Sequence, residues 1–432
     1  MLLIYKIHGG NPMNEKNILK GYEYAKEAYA AAGIDTDKAI ALADKLPVSM
    51  HCWQGDDVLG FDGTGALEGG IQTTGNYPGR ARTAEELRAD IDFARSLIPG
   101  ATKLNLHACY AEKHGKKIDR DAYTIEEFAD WLAWAKEAGI GLDFNPTYFS
   151  HPMMDGNFSL SSPKKEVRDF WIEHGKRCRE IGQEFAKGLG KTCVTNFWMP
   201  DGFKDNVASS RYYRELMTAS LDEIFADKSI DESIAPSAIE SKLFGIGVES
   251  YTVASHEFSL GYAIKNNKVY CLDAGHFHPT EVISAKISAV LQTVDKVLLH
   301  VSRGVRWDSD HVITLDDELQ RIMDEIVFGG YEDRVFIGLD FFDASINRIA
   351  CWAIGMRNAR KAILNACLCN HELIAKKELE GDFTARLALQ EERKSLPAGA
   401  VWDYYCLTKG LPVGTDWLDA VKKYEKDVLS KR

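Results

Sequence analysis

The feature that most constrains this chain is a rhythm of eight short apolar segments, separated mostly by amphipathic helical stretches. The segments are Val48–Trp53, Lys103–Ala108, Gly141–Asn145, Cys193–Trp198, Ala238–Lys242, Val269–Asp273, Lys296–His300 and Arg334–Asp340. Strands alternating with helices imply a parallel sheet, and eight such units imply closure into a (β/α)₈ barrel. Parity along the strands favours the barrel over an open, doubly wound sheet. Asn105 and His107 fall on one face, as do Asp143 and Asn145, Asn196 and Trp198, and Glu240 and Lys242. Leu104, Leu106, Phe144 and Ile239 take the opposite face, where helices would cover them. A fully buried strand of an open parallel sheet reads instead as near-continuous Val, Ile and Leu.

A helix is expected over 15–32. Thr83-Ala-Glu-Glu86 and Thr124-Ile-Glu-Glu127 read as capping boxes, in which Thr hydroxyl and Glu carboxylate satisfy free N–H groups reciprocally. Pro279 suits the first turn of a helix running to about Thr293. Residues 1–12 read as an upstream extension, 13–369 as the barrel, and 370–432 as a charged helical extension suited to covering the barrel or contacting another subunit. The Gly/Thr-rich connection 55–82 is long enough to be a lid or mouth loop. Its Gly60-Phe-Asp-Gly-Thr-Gly65 has the wrong spacing for a phosphate loop and opens no helix.

Composition excludes some partners. A formal net charge of −12 argues against a binder of phosphate backbones. No run approaches the roughly 20 apolar residues of a membrane span. The nine cysteines are scattered, and Cys367-Leu-Cys369 lacks both zinc spacing and a partner pair, so buried thiols in a reducing cytoplasm are expected.

Candidate chemistry collects at the ends of the last four strands. Glu240, Asp273, His276, His300, Asp308, Asp310 and Asp340 mix carboxylate and imidazole, which favours Mn²⁺, Mg²⁺, Co²⁺ or Zn²⁺ over softer ions. Any one taken singly has a plainer explanation: an Asp after a strand is often a helix N-cap, and a His on a strand is usually a satisfied hydrogen-bonding residue. Seven together are hard to explain structurally, because unpaired buried charges are strongly disfavoured. They exceed the needs of one ion, whereas two ions share a bridging carboxylate. Lys242, on the face of Glu240, is a general acid, a substrate anchor or a salt-bridge partner. Trp53, Phe149 and Trp198 form a candidate apolar wall, and with the Asn, His and Asp residues they suit a polyhydroxylated ligand. His278, beside Pro279, reads as a neighbour.

Several ordered blocks carry a resemblance. They are Ser49-Met-His-Cys-Trp-Gln-Gly-Asp-Asp57, Gly75-Asn-Tyr-Pro-Gly79, Ser241-Lys-Leu-Phe-Gly-Ile-Gly247, Leu272-Asp-Ala-Gly-His-Phe-His-Pro279, Arg306-Trp-Asp-Ser-Asp-His311 and Gly338-Leu-Asp-Phe-Phe-Asp-Ala-Ser-Ile-Asn-Arg348. From about Met13 onward the chain resembles the bacterial L-rhamnose isomerase family. The resemblance implies a metal-dependent (β/α)₈ aldose–ketose isomerase, usually a homotetramer, that converts the deoxyhexose L-rhamnose to L-rhamnulose with Mn²⁺ preferred. By motif, it implies that His276, Asp308, Asp310 and Asp273 hold a catalytic ion. Glu240, Asp273, His300 and Asp340 would hold a second, structural one. Lys242 and His107 would contact the sugar, with His51, Trp53 and Trp198 lining the pocket. A hydride shift between C1 and C2 is then expected, with Asp340 or its water moving the hydroxyl protons. The alternatives are an isomerase of a related sugar, a metallonuclease, which the net acidity disfavours, and a sugar-binding barrel without catalysis, which should lack ligands.

Overall fold

The computed structural model describes residues 14–63, 75–243, 250–278, 280–305 and 310–432. Eight parallel strands close into a barrel: β1 Val48–His51, β2 Thr102–His107, β3 Gly141–Asn145, β4 Thr195–Phe197, β5 Ser237–Glu240, β6 Val269–Asp273, β7 Val297–Val301 and β8 Val335–Leu339. Each pairs with the next, and β8 pairs with β1. Two helices precede the barrel, α1 Glu15–Ala31 and α2 Thr36–Lys45. One helix follows each strand: α3 Ala84–Arg95, α4 Ala129–Ala138, α5 Lys165–Leu189, α6 Ser210–Ile224, α7 His256–Asn266, α8 Ser284–Val290, α9 Asp317–Phe328 and α10 Arg348–Cys367. Beyond them lie α11 His371–Leu379, α12 Phe383–Glu392, α13 Ala398–Thr408 and α14 Asp416–Asp427, with α13 packed on α1. The chain is therefore the (β/α)₈ barrel that the strand count and parity predict.

Local chemistry explains the helices. In α9, Asp316 caps the first turn by accepting from Leu319 N–H. Leu319, Ile322, Met323 and Ile326 are buried at i, i+3, i+4 and i+7, one stripe facing the sheet. Burying such a side chain contributes about 1.5–3 kcal/mol relative to leaving it exposed. Thr124 and Glu127 form the complete capping box ahead of α4. At Thr83 only half forms: its hydroxyl accepts from Glu86 N–H, while the Glu86 carboxylate takes Arg82 N–H and its guanidinium instead. The helix expected at Pro279 begins at Ser284 and ends at Val290; Pro279 lies outside the described residues.

The strand parity holds. Phe144 packs outward against Phe128 and Phe185 of the helical layer. Inward, Ser49 Oγ donates to Asp143 Oδ2 (2.7 Å), Lys103 Nζ pairs with Asp143 Oδ1 (2.5 Å), and Asn145 donates to Asn105 (2.6 Å). Polar groups sealed in a barrel need such partners, because a buried one left unpaired costs about 1–3 kcal/mol.

The two ends of the connection after β1 are tied down. Asp57 pairs with both Arg348 Nε and Nη2 (2.8 Å each), Arg120 pairs with Asp62 (2.8 Å), and Tyr110 donates to Asp56 (2.6 Å). Further on, Gly75 bridges to Ala344, and Tyr77 donates to Glu425 of α14. A Cβ at Gly75 would lie 2.3 Å from the Ala344 backbone, and φ there is +107°, so only glycine fits. Residues 64–74, the middle of the expected lid, lie outside the described residues. So do residues 1–13 and Asp308.

Candidate metal centre

The C-terminal ends of β5 to β8 converge because of the sheet register. Glu240 pairs with Cys271 across β5–β6, and Asp273 pairs with His300 across β6–β7. Same-side residues on neighbouring strands are thereby brought into one layer at the mouth, and Asp340, next after β8, joins them. Among the described residues three groups of potential ligand atoms, each within 4.8 Å, result: Glu240–Cys271–His300, Glu240–Asp273–His276 and Asp273–His300–Asp340. His300 Nδ1 lies 3.3 Å from Glu240, 3.7 Å from Asp273 and 3.5 Å from Asp340. His276 Nδ1 lies 3.1 Å from Glu240, and its Nε2 is 3.9 Å from Asp273. Asp273 thus sits between the two imidazoles.

Glu240, Asp273, His276 and His300 are nearly sealed, Asp273 being 1% exposed and His300 2%, while Asp340 is half-buried. Asp273 Oδ1 accepts from Gly275 N–H (2.7 Å), but Oδ2 has no hydrogen bond, and neither ring nitrogen of His300 has one of good geometry. Orphaned donor atoms of hard oxygen and imidazole nitrogen, buried and mutually close, are what a divalent first-row ion requires. The residues fit such an ion.

The electrostatics follow from burial and crowding. Burial opposes ionisation of Glu240, yet the charge on His300 and the nearby His276 imidazole hold it well below the usual carboxylate range. Burial disfavours a charged His300, but the groups facing it, Glu240 and Asp273 among them, more than offset this and hold it well above the usual imidazole range. Burial also pushes the Cys271 thiol up, so the negative charge facing His300 is that of the carboxylates. Burial pushes Asp340 up to about 7, moderated by His300 and reinforced by Asp273 and Glu240. Trp53 Nε1 donates to the Asp340 carboxylate (2.9 Å).

An aromatic rim surrounds this cluster. Trp53 meets His107 edge-on (4.9 Å), His107 meets Phe149 (5.7 Å), and Phe149 meets Trp198 (5.5 Å). His51 lies edge-on to Phe341 (4.4 Å). Burial drives both His51 and His107 down to about 3, so both rings are neutral near pH 7. Lys242 Nζ lies 5.1 Å over the Trp198 ring and 2.9 Å from His276 Nε2.

Residues 16–432 match the family model described as L-rhamnose isomerase (RhaA). This chain belongs to the L-rhamnose isomerase family. The L-rhamnose isomerase of Mannheimia succiniciproducens is 59% identical over 416 residues, covering 96% of this chain and 99% of that protein. That of Rhodopirellula baltica is 55% identical over 417 residues, covering 96% and 97%. That of Listeria innocua is 55% identical over 419 residues, covering 97% and 99%.

In this member of the L-rhamnose isomerase family, the structure brings Glu240, Asp273, His276, His300, Asp340 and Lys242 together, with His51, Trp53, His107 and Trp198 around them. Asp310 follows β7 in a left-handed conformation (φ 41°), and its carbonyl accepts from Phe342 N–H (3.2 Å). It is in none of the three ligand groups among the described residues. His278 is exposed and bonds Thr280 (2.8 Å). Sequence reasoning misses Cys271 as a site neighbour, although it lies two residues before Asp273 and so on the same strand face. It also misses the role of Asn196, whose amide donates to Glu240 Oε2 (2.5 Å).

Proposed function

We propose that this chain interconverts L-rhamnose and L-rhamnulose in L-rhamnose catabolism, by a metal-assisted hydride shift between C1 and C2. The observation that carries the proposal is the set of three overlapping ligand groups at the mouth of a barrel of this family. Glu240, Asp273, His300 and Asp340 would hold one divalent ion. His276, Asp308 and Asp310, with Asp273 as the bridge, would hold the other. Mn²⁺ is the ion proposed, and the same donors accommodate Co²⁺, Mg²⁺ or Zn²⁺. An ion held there would polarise the substrate carbonyl and stabilise the negative charge that develops on the neighbouring oxygen.

The rest is work for the protein's own side chains. Lys242 places an ammonium beside Trp198, where it donates to a sugar oxygen. His51 and His107 are neutral and hydrogen-bond hydroxyls without adding charge. The rim of Trp53, His107, Phe149 and Trp198 packs on the sugar and excludes water, so the hydrogen moving between the carbons does not exchange. Asp340, held by the Trp53 N–H, or a water beside it, would accept and return the hydroxyl proton.

Residues 370–432 are proposed as subunit-contact helices of a homotetramer. In support, α12 has no buried residue, and Leu379 and Phe383 are 90% and 60% exposed. A cytoplasmic location is proposed as well; among the described residues no helix is long and apolar enough to cross a membrane.

Incubation with L-rhamnose and Mn²⁺, with and without EDTA, tests the function by ketose formation. Absence of metal-dependent ketose refutes it. In D₂O, recovered sugar should carry little deuterium at C2, and extensive incorporation would indicate an enediol route instead.

A further inference from the structure

We propose that His256, outside the barrel mouth on α7, is a positioning residue that holds His276 with its Nε2 lone pair facing the metal site. This rests on the reading of His276 as a metal ligand. The His276 ring shows which nitrogen carries the proton. Nδ1 is 2.8 Å from the Ser241 carbonyl oxygen and 3.1 Å from Glu240 Oε1, both acceptors, so Nδ1 bears the hydrogen. Nε2 faces the Lys242 ammonium at 2.9 Å, a donor, so Nε2 bears the lone pair. A metal-binding imidazole needs this tautomer, and it is set by what the other nitrogen touches.

His256 fastens both ends of that arrangement. Its Nε2 lies 2.8 Å from the His276 carbonyl oxygen, to which it must donate, which makes Nδ1 an acceptor. Nδ1 receives Ser241 Oγ–H at 2.7 Å, and Ser241 Oγ in turn receives Tyr270 O–H at 3.0 Å. One direction of donation runs through the whole chain, from Tyr270 to Ser241, His256 and the His276 backbone. The His276 side chain then closes the loop by donating back to the Ser241 carbonyl. Ser241 and His276 are thus stitched reciprocally, side chain to backbone in each direction, with His256 as one of the two stitches.

The ring also stacks on Phe277 at 4.0 Å with 14° between planes, so its orientation is fixed by packing as well. Neighbouring contacts anchor the same strand end: Lys242 N–H donates to the Ala254 carbonyl (3.0 Å), and Ser259 Oγ of α7 to the Glu240 carbonyl (3.3 Å). Helix α7 therefore serves as the back plate against which the ends of β5 and β6 are set. Free of His256, the His276 peptide loses the contact that fixes the root of its side chain.

The test is calorimetric titration of the full-length, chelator-stripped protein with Mn²⁺. His256→Phe keeps the stack on Phe277 and removes both hydrogen bonds. His256→Gln keeps an N–H donor near the position of Nε2. The expected result is that His256→Phe weakens Mn²⁺ about 10–100-fold at the site that His276→Ala abolishes, as for other partners of metal ligands. His256→Gln recovers most of the affinity. Wild-type affinity in His256→Phe, beside loss in His276→Ala, overturns the proposal. Wild-type affinity in His276→Ala overturns it together with the ligand assignment beneath it. Should His256→Phe not fold, His256→Asn decides: it reaches Ser241 but not the His276 carbonyl. Mn²⁺ binding weaker than in His256→Gln supports the stitch, and equal affinities in the two overturn it.

Discussion

Replacing Asp273 with Asn separates a metal-holding role for this carboxylate from a structural one. The amide oxygen of Asn keeps the bond to Gly275 N–H, so the turn after β6 survives. What is lost is a negative charge 3.7 Å from His300 Nδ1 and 3.9 Å from His276 Nε2, on an oxygen with no hydrogen bond of its own. In chelator-stripped protein the variant should therefore melt close to wild type, since relieved repulsion on Asp340 offsets the lost attraction to His300. With Mn²⁺ the sign reverses. An ion at 100 times its Kd stabilises by about 2.7 kcal/mol. Unfolding entropy of about 2.1 cal/mol/K per residue over 432 residues is about 0.9 kcal/mol/K, so each occupied site raises Tm by about 3 °C. Asp273 belongs to two of the three ligand groups, and losing it should weaken each site at least as much as losing a ligand's partner, about 10–100-fold. At the same Mn²⁺ concentration the gain falls to about 0.4–1.4 kcal/mol per site, or about 0.5–1.6 °C. Scanning calorimetry of stripped protein with and without Mn²⁺ reads both quantities. A wild-type rise in Asp273→Asn, or a stripped variant that melts many degrees lower, refutes the reasoning.

Other outcomes are expected from the same structure. Trp53→Phe keeps the ring but deletes the N–H on Asp340; a bond to a charged group contributes about 1.5–3 kcal/mol, so kcat/KM should fall roughly 10–150-fold in steady-state assays. Arg120→Met removes the buried cation that pairs with Asp62, where both side chains are 1% exposed, which should cost about 3–5 kcal/mol of stability in urea unfolding. Burial pushes Asp56 up to about 7, tempered by the Tyr110 hydroxyl and Gly60 N–H. A carboxyl whose folded pKa is raised binds its proton more tightly folded than unfolded, so its contribution is full below about pH 4 and is lost as pH rises toward 7. Asp56→Asn should flatten that slope in pH-dependent denaturation; an unchanged slope would assign it to other groups.

The barrel and most of the candidate site are legible in the sequence because both are written locally. Asp143 and Asn145, or Glu240 and Lys242, announce an inward face by two-residue spacing, and the strand ends are marked where polar residues interrupt apolar runs. What stays hidden depends on partners far along the chain. Strand β1 stops at His51 and turns into a 3₁₀ segment, Cys52–Gln54, which aims Trp53 at Asp340. The Thr83 box is half-formed because Arg82 competes for Glu86. Cys271 escapes notice because cysteine draws attention through paired spacing, not strand parity, and only the β5–β6 register puts it beside Glu240. The Arg120–Asp62 pair joins residues 58 apart and has no local signature at all.

The Trp53–Asp340 hydrogen bond spans 287 positions and links the first barrel strand to the last. During synthesis, the ligand-bearing strands leave the ribosome after the indole that completes Asp340, and at about 5–20 residues per second the interval from Trp53 to Asp340 is roughly 15–60 s. A half-finished barrel can neither shield the carboxylates nor hold Asp340 in place. Capture of an ion by the proposed site would thereby wait for closure of the barrel, when β8 docks against β1.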